Sequence, residues 1–184
     1  MMVISGNRKN IYDYILNYPG VYLRQIHRQI GSTMSDIQYH LRYLENIGLI
    51  KSRKVNQNRH FYPITIVDEQ DEIVLAFLRH NTDRSILIYL LEHSGYTQTD
   101  VINSLNLSAS TINWHMFRLV ESGLISKSKQ GKIIRYFVAD TELLVDSLRK
   151  YFPDMWNKLA DRFVKLYIQS ASTHRIVPVA SRRS

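Results

Sequence analysis

Residues 33–52 read TMSDIQYHLRYLENIGLIKS, and residues 108–128 read SASTINWHMFRLVESGLISKS. Each stretch opens on a hydroxyl residue, Thr33 or Ser108, of the kind that caps a helix by accepting a backbone N–H. Asp36 follows Thr33 as an acidic variant of the capping box. Ile37, Leu41 and Leu44 then recur at helical spacing, which predicts a helix with one buried face running to about Asn46. Gly48 ends it, because a glycine takes the left-handed conformation past a helix end without steric cost.

The surrounding chain repeats on the same plan. A shift of 75 residues lays segment 7–65 on 82–140 without a gap. Ile11 meets Ile86, Tyr14 meets Tyr89, Gly20 meets Gly95, Ser35 meets Ser110, His40 meets His115, and Gly48-Leu49-Ile50 meets Gly123-Leu124-Ile125. In the first copy the spacing predicts helices over 8–18, 23–30 and about 34–46, then strands over 49–55 and 60–66 around the polar tip Asn56 to Arg59. In the second it predicts helices over 83–93, 98–105 and 109–121, with Thr97 and Ser108 as caps, and strands over 124–129 and 133–139. Further helices are expected over 141–152 and 154–171, broken at Pro153. The fold class is therefore mainly α with small β-hairpin wings, two tandem units of three helices and a hairpin plus C-terminal helices. The expected division is a first domain 1–66, an acidic linker and connecting helix 67–82, a second domain 83–140, C-terminal helices 141–171 and a basic tail 172–184.

Composition bounds the function. The chain has 184 residues and a formal net charge of +8, a surplus that suits a polyanionic partner. It has no cysteine, which excludes a disulfide framework, thiolate metal sites and cysteine catalysis. No apolar run reaches the length of about 18 residues that a membrane span needs. The opening MMVISGNRKN lacks the apolar core of a signal peptide, so a cytoplasmic, nucleoid-associated location is expected. There is no glycine-rich phosphate loop, no His-Glu metal pattern and no nucleophile–base cluster. No enzyme, cofactor or metal is expected, and His40 and His115 read as structural histidines beside the buried face.

The two quoted stretches share a small hydroxyl cap, an inward Ile, a His-Leu or His-Met pair, an inward Leu and Gly-Leu-Ile. In these features both resemble the recognition helix and wing of arsenic-repressor-like winged-helix regulators. The pairing resembles the tandem winged helix-turn-helix transcriptional regulators of archaeal type. The resemblance spans about residues 8–139 and implies a double-stranded DNA-binding transcription regulator. The chain departs from the metal-sensing members in having no cysteine, so metal-gated repression does not carry over.

In a helix-turn-helix the second helix enters the major groove. At about 100° per residue, Ser35, Tyr39, Arg42 and Asn46 point away from the buried face, with Gln38 on the flank. Gln and Asn pair with adenine, Arg with guanine, and Ser with base or phosphate. Ser35, Gln38, Tyr39 and Arg42 are the expected base contacts. Arg24, Arg28, Thr33, Lys51, Arg53, Lys54, Arg59 and His60 are the expected backbone and wing contacts. In the second copy the candidates are Ser110, Asn113, Trp114, Arg118 and Lys132. The copies differ in charge: residues 1–66 hold nine Lys or Arg against three acids, and residues 83–140 hold six against five. Outward Trp114 and Phe117 suit a protein contact, with the transcription machinery as a candidate partner. Leu148, Phe152, Trp156, Leu159, Phe163 and Leu166 form an apolar seam, read either as packing on the chain itself or as a homodimer contact. A second function stays open, a protein–protein adaptor in a chromosome-organising or polymerase-associated complex.

Overall fold

The computed structural model describes residues 6–65 and 67–173, with side chains to Val164, and its elements follow the repeat. The first unit runs α1 (Gly6–Asn17), β1 (Val21–Tyr22), α2 (Leu23–Ile30), α3 (Met34–Asn46), β2 (Ile50–Val55) and β3 (Asn58–Pro63). A connecting helix α4 (Glu69–Leu78) leads to α5 (Asn81–Glu92), α6 (Gln98–Leu105), α7 (Ala109–Glu121), β4 (Ile125–Gln130) and β5 (Ile133–Val138). Helices α8 (Thr141–Tyr151) and α9 (Pro153–Thr173) follow. The expected tail from residue 174 onward lies outside the described residues, as does the Leu166 side chain.

The repeat holds down to single hydrogen bonds. Gly20 N–H donates to the Phe61 carbonyl and Gly95 N–H to that of Tyr136, at 2.9 and 3.0 Å. Leu49 N–H reaches the Leu44 carbonyl and Leu124 N–H that of Leu119, at 3.0 and 3.1 Å. The left-handed turn after α2 falls on Gly31 (φ 76°), and its counterpart after α6 falls on Asn106 (φ 51°). Asparagine tolerates this region because its short polar side chain bonds locally, so the backbone plan survives a change of residue.

Strand β1 was not anticipated. Val21 pairs with Phe61 and Tyr22 with His60, giving a sheet of order β1-β3-β2. The second unit keeps only the bridge Tyr96 to Tyr136 at the matching place. A two-residue strand is too short to carry a period.

The expected acidic linker is instead the first turn of α4. Asp71 and Glu72 are buried there, and so are Val74, Leu75, Ala76, Phe77 and Leu78. A helix apolar on all sides is core, not tether. It contacts β2, α5 and α8, and an added Cβ on Gly20 would sit 3.0 Å from Leu75 Cβ. Tyr62, Val67 and Leu75 form a small core of their own at the junction.

The apolar seam after Asp140 also finds its partner within the chain. Leu144, Leu148 and Leu159 are buried in one core with Val74, Leu78, Ile86 and Leu87, and Phe152, Trp156 and Phe163 pack half-buried against it. Leu148 and Leu159 of the expected seam are thus spent on the chain's own core, while Phe152, Trp156 and Phe163 keep part of their surface exposed. No helix among the described residues is long and apolar enough to cross a membrane.

Replacing Leu148, fully buried, with Ala should cost about 2–5 kcal/mol by loss of transfer energy and opening of a cavity. Urea unfolding followed by circular dichroism checks this. A dimer contact would instead show as a midpoint that moves with protein concentration.

Candidate nucleic-acid interface

Helix α3 is set by its cap and by α1. Thr33 Oγ1 accepts from Asp36 N–H at 3.3 Å. Ile37, Leu41 and Leu44 face the core. On the flank toward α1, Asn7 Nδ2 donates to Ser32 Oγ and Asp36 Oδ2, at 2.9 and 3.3 Å. Arg8 Nε donates to His40 Nδ1 at 3.4 Å, and His40 Nε2 lies 3.2 Å from Asp36 Oδ1. The Arg8 guanidinium also lies over the Tyr43 ring at 3.7 Å. These contacts occupy His40 on both ring nitrogens. They leave Ser35, Gln38, Tyr39, Arg42 and Asn46 on the open face, all exposed, Tyr39 to 61%. Ser35 Oγ shares a hydrogen with Thr33 Oγ1 at 3.2 Å. Neither Gln38 nor Arg42 is tied by a hydrogen bond or ion pair to another described residue. Arg24 and Arg28 are exposed on α2.

The first wing differs from expectation. Lys51 Nζ lies 2.9 Å from Glu72 Oε1 and donates to the Val67 carbonyl at 2.9 Å. Arg53 Nη1 lies 3.3 Å from Glu72 Oε2 and 3.5 Å from the Glu69 carbonyl. Arg59 donates to Ser52 Oγ at 2.6 Å and to Glu45 Oε1 at 2.9 Å, while its side chain stays 58% exposed. Lys51 and Arg53 thus clamp the hairpin to α4, and Arg59 ties it to the end of α3. Lys54 alone of these four cations stands exposed without such a partner among the described residues.

His60 is a correction. It is 1% exposed, which removes it from any surface contact. Strand β3 is central once β1 is added, paired on both edges, and Phe61, Tyr62 and Pro63 that follow His60 on it are buried as well. Its Nδ1 lies 2.7 Å from the Gly20 carbonyl, and its ring meets the edges of Tyr22 and His80. Burial pushes its pKa down from 6.5 to about 4, against the opposing pull of the Gly20 carbonyl. His80 is lowered for the same reason.

In the second unit Ser110, Asn113, Trp114 and Phe117 are exposed, Trp114 to 54% and Phe117 to 63%. Arg118 is the second correction. Its side chain, 11% exposed, lies under the Trp114 ring at 4.2 Å and 3.9 Å from the fully buried Asp83. Its charge balances that carboxylate from the protein side, which turns the guanidinium away from the open face. Asp83 occupies the position of Arg8 in the repeat, and its Oδ1 lies 2.5 Å from His115 Nδ1. The equivalent of a cation–histidine contact is here an anion–histidine contact, which draws Arg118 inward.

The second wing is freer than the first. Residues 126–134, Lys127, Lys129 and Lys132 among them, are all exposed, whereas β2 has only Lys54 so exposed. No ion pair joins those three lysines to another described residue. Ile133 and Ile134 are 48% and 42% exposed beside them. Lys127 and Lys129 were missed in the sequence because formal charge alone made the second unit look weak. Among the described residues no group of His, Cys, Asp or Glu could hold a metal ion.

Two family models agree with this architecture. Residues 5–75 match a family model described as an N-terminal HTH domain, and residues 79–126 match a winged helix-turn-helix DNA-binding family. The chain is 29% identical over 142 residues to an HTH-type transcriptional regulator of Methanocaldococcus jannaschii, MJ1398, covering 77% of this chain but only 36% of that protein. Among solved structures, HlyU from Vibrio cholerae covers 42% of this chain and 84% of its own, with 23% identity and a TM-score of 0.38. The repressor PagR of Bacillus anthracis covers 43% and 90%, with 23% identity and a TM-score of 0.39. The chain is a tandem winged helix-turn-helix protein, with mainly α structure and a small antiparallel wing on each unit.

The buried neutral His60 makes stability depend on pH. The unfolded chain takes up a proton near pH 6.5 that the folded chain refuses until about 4. Its contribution is therefore complete above pH 6.5 and is lost as the pH falls toward 4, by about 2–3 kcal/mol. Urea titrations across this window should show the loss, and His60→Gln should flatten it. An equal slope in both proteins would assign the effect elsewhere.

Proposed function

We propose that this tandem winged-helix protein is a transcription regulator that binds double-stranded DNA in a sequence-specific way. The observation that carries this reading is the open face of α3. Gln38 and Arg42 stand exposed on it with no hydrogen bond or ion pair to another described residue, while the flanking Asp36, His40 and Tyr43 are held by α1. A helix so oriented can lay Ser35, Gln38, Tyr39 and Arg42 along base edges in the major groove. Arg24, Arg28, Thr33 and Lys54 lie on the same unit to meet phosphates, and phosphate contacts fix register without carrying sequence.

The second unit contributes differently. Its Lys127, Lys129 and Lys132 are unpaired among the described residues and supply backbone charge. Ser110 and Asn113 are its polar outward groups, and Trp114 is set to pack on a sugar or a thymine methyl. Exposed Trp114, Phe117, Ile133 and Ile134 also favour a second reading, in which this unit docks on a protein of the transcription machinery. Both readings place the protein in the cytoplasm, on the nucleoid, and neither asks for a cofactor or a catalytic group. One matched model is described as winged helix-turn-helix DNA-binding, and the archaeal relative is named an HTH-type transcriptional regulator. With Leu148 and Leu159 of the seam buried in the chain's own core, the two units of one molecule supply the paired heads in this reading.

Selection of bound sequences from a random DNA pool tests the function directly. Gln38→Ala or Arg42→Ala should cost about 1–3 kcal/mol on the selected site and relax base preference there. Failure of the full chain to enrich any sequence would defeat the proposal. The wings are told apart by salt. Replacing Lys127, Lys129 and Lys132 with Gln should flatten the dependence of affinity on salt by about one unit for each phosphate no longer neutralised. Replacing Lys51 or Arg53 should leave that slope nearly unchanged and lower stability instead, because both cations are already committed to Glu72.

A further inference from the structure

A cleft of about 520 Å³ opens between the end of α1 and the junction of α8 with α9. Tyr18, Arg79, Tyr151, Phe152, Met155 and Lys158 line it. Its volume falls within the range of small-molecule sites, about 300–1,000 Å³. The walls are flat rings around two cations, with Asp154 as the one acid among the lining residues. The Arg79 guanidinium is held by its Nε, which donates to the Pro19 carbonyl at 2.8 Å, and it lies 4.4 Å from the Phe152 ring and 5.5 Å from the Tyr18 ring. Its Nη2 is buried with no hydrogen-bond partner among the described residues. That nitrogen is closed to solvent, so a ligand in the cleft reaches it only by shifting the Arg79 side chain; a carboxylate is the acceptor whose planar geometry suits a guanidinium best. Burial already lowers the pKa of Arg79 to about 10, which an anion beside it would reverse.

We propose that this cleft is an effector site for a small organic anion with a flat apolar body, an arylcarboxylate in chemical class. The carboxylate would meet Arg79 and Lys158, and the ring would lie among Tyr18, Phe152 and Met155. Occupancy is connected to the first wing. Tyr151, a wall of the cleft, donates from its hydroxyl to Asp71 Oδ2 at 2.9 Å. Asp71 is followed by Glu72, which holds Lys51 and Arg53 of β2. A ligand that shifts Tyr151 thereby shifts the support of the wing, and by linkage DNA must change the ligand's affinity by the same factor. That coupling rests on the DNA-binding reading; the site itself does not.

Titration of the full chain with phenylacetate, without DNA, by calorimetry and by heteronuclear NMR of the arginine side chains tests the site. Saturable binding with a dissociation constant of about 1 mM or tighter is expected, near −4 kcal/mol for a ligand of this size. Neutral phenylacetamide should bind at least about tenfold more weakly, for want of one charge-assisted hydrogen bond. Lys158→Glu, an exposed change that leaves the core intact, should weaken phenylacetate by about threefold or more, and Arg79→Gln by more than that. Phenylacetate near saturation should then change affinity for the selected DNA at least about twofold. No saturable binding up to about 20 mM, equal binding of acid and amide, indifference to Lys158→Glu, or binding that leaves DNA affinity unchanged would each overturn the proposal. A chain that selects no DNA but binds phenylacetate through Arg79 would sink the regulator reading while leaving the site in place.

Discussion

Asp71 and Glu72 are neighbours in the chain and hold different parts of the molecule. Glu72 accepts Lys51 and Arg53 from the first hairpin. Asp71 accepts the Ser147 hydroxyl at 3.0 Å and the Tyr151 hydroxyl at 2.9 Å, with Lys150 at 3.6 Å. Two carboxylates taken out of water are expensive unless the pairing is good. Their placement therefore fixes the hairpin on one side of α4 and α8 on another. The apolar remainder of α4 fills the space between, and Leu144, Leu148 and Leu159 pack in one core with residues of α4 and α5.

This constraint was the least legible part of the sequence. The run Asp68 to Glu72 has the composition of a solvated linker, and its partners lie far off, with Ser147 76 residues from Asp71. Pattern reading sees neighbours, not distant donors. Helices α3 and α7 were legible because cap, apolar period and closing glycine agree within a short span. The outward face of α3 followed from the same period. His60 was misread for a traceable reason. Its residue type suits a donor on a wing, and nothing local in the sequence reveals that the Gly20 carbonyl and the rings of Tyr22 and His80 surround it. Arg118 was misplaced because the buried acid beneath it, Asp83, sits where the first unit has Arg8.

That exchange also explains why one backbone plan yields two unlike heads. In the first unit Arg8 donates to His40 and lies on Tyr43, and Arg42 is left outside. In the second, Asp83 binds His115 and draws in Arg118, leaving Trp114 and Phe117 as the open face. Formal charge then misleads in both directions. The first wing is rich in cations that are mostly committed to carboxylates, and the second is poorer in charge but has its lysines unpaired among the described residues.

The burial of α4 on all sides has a consequence for geometry. A flexible tether lets two heads search a volume and tolerate any spacing of their targets. A packed helix grants no such search. The distance and the twist between α3 and α7 are set by the fold, so the two heads form a ruler with one graduation. B-form DNA turns once in about 10.5 base pairs, and shifting one target by half that length carries it to the opposite side of the duplex. If both heads meet DNA as proposed, such a rigid pair measures phase along the double helix.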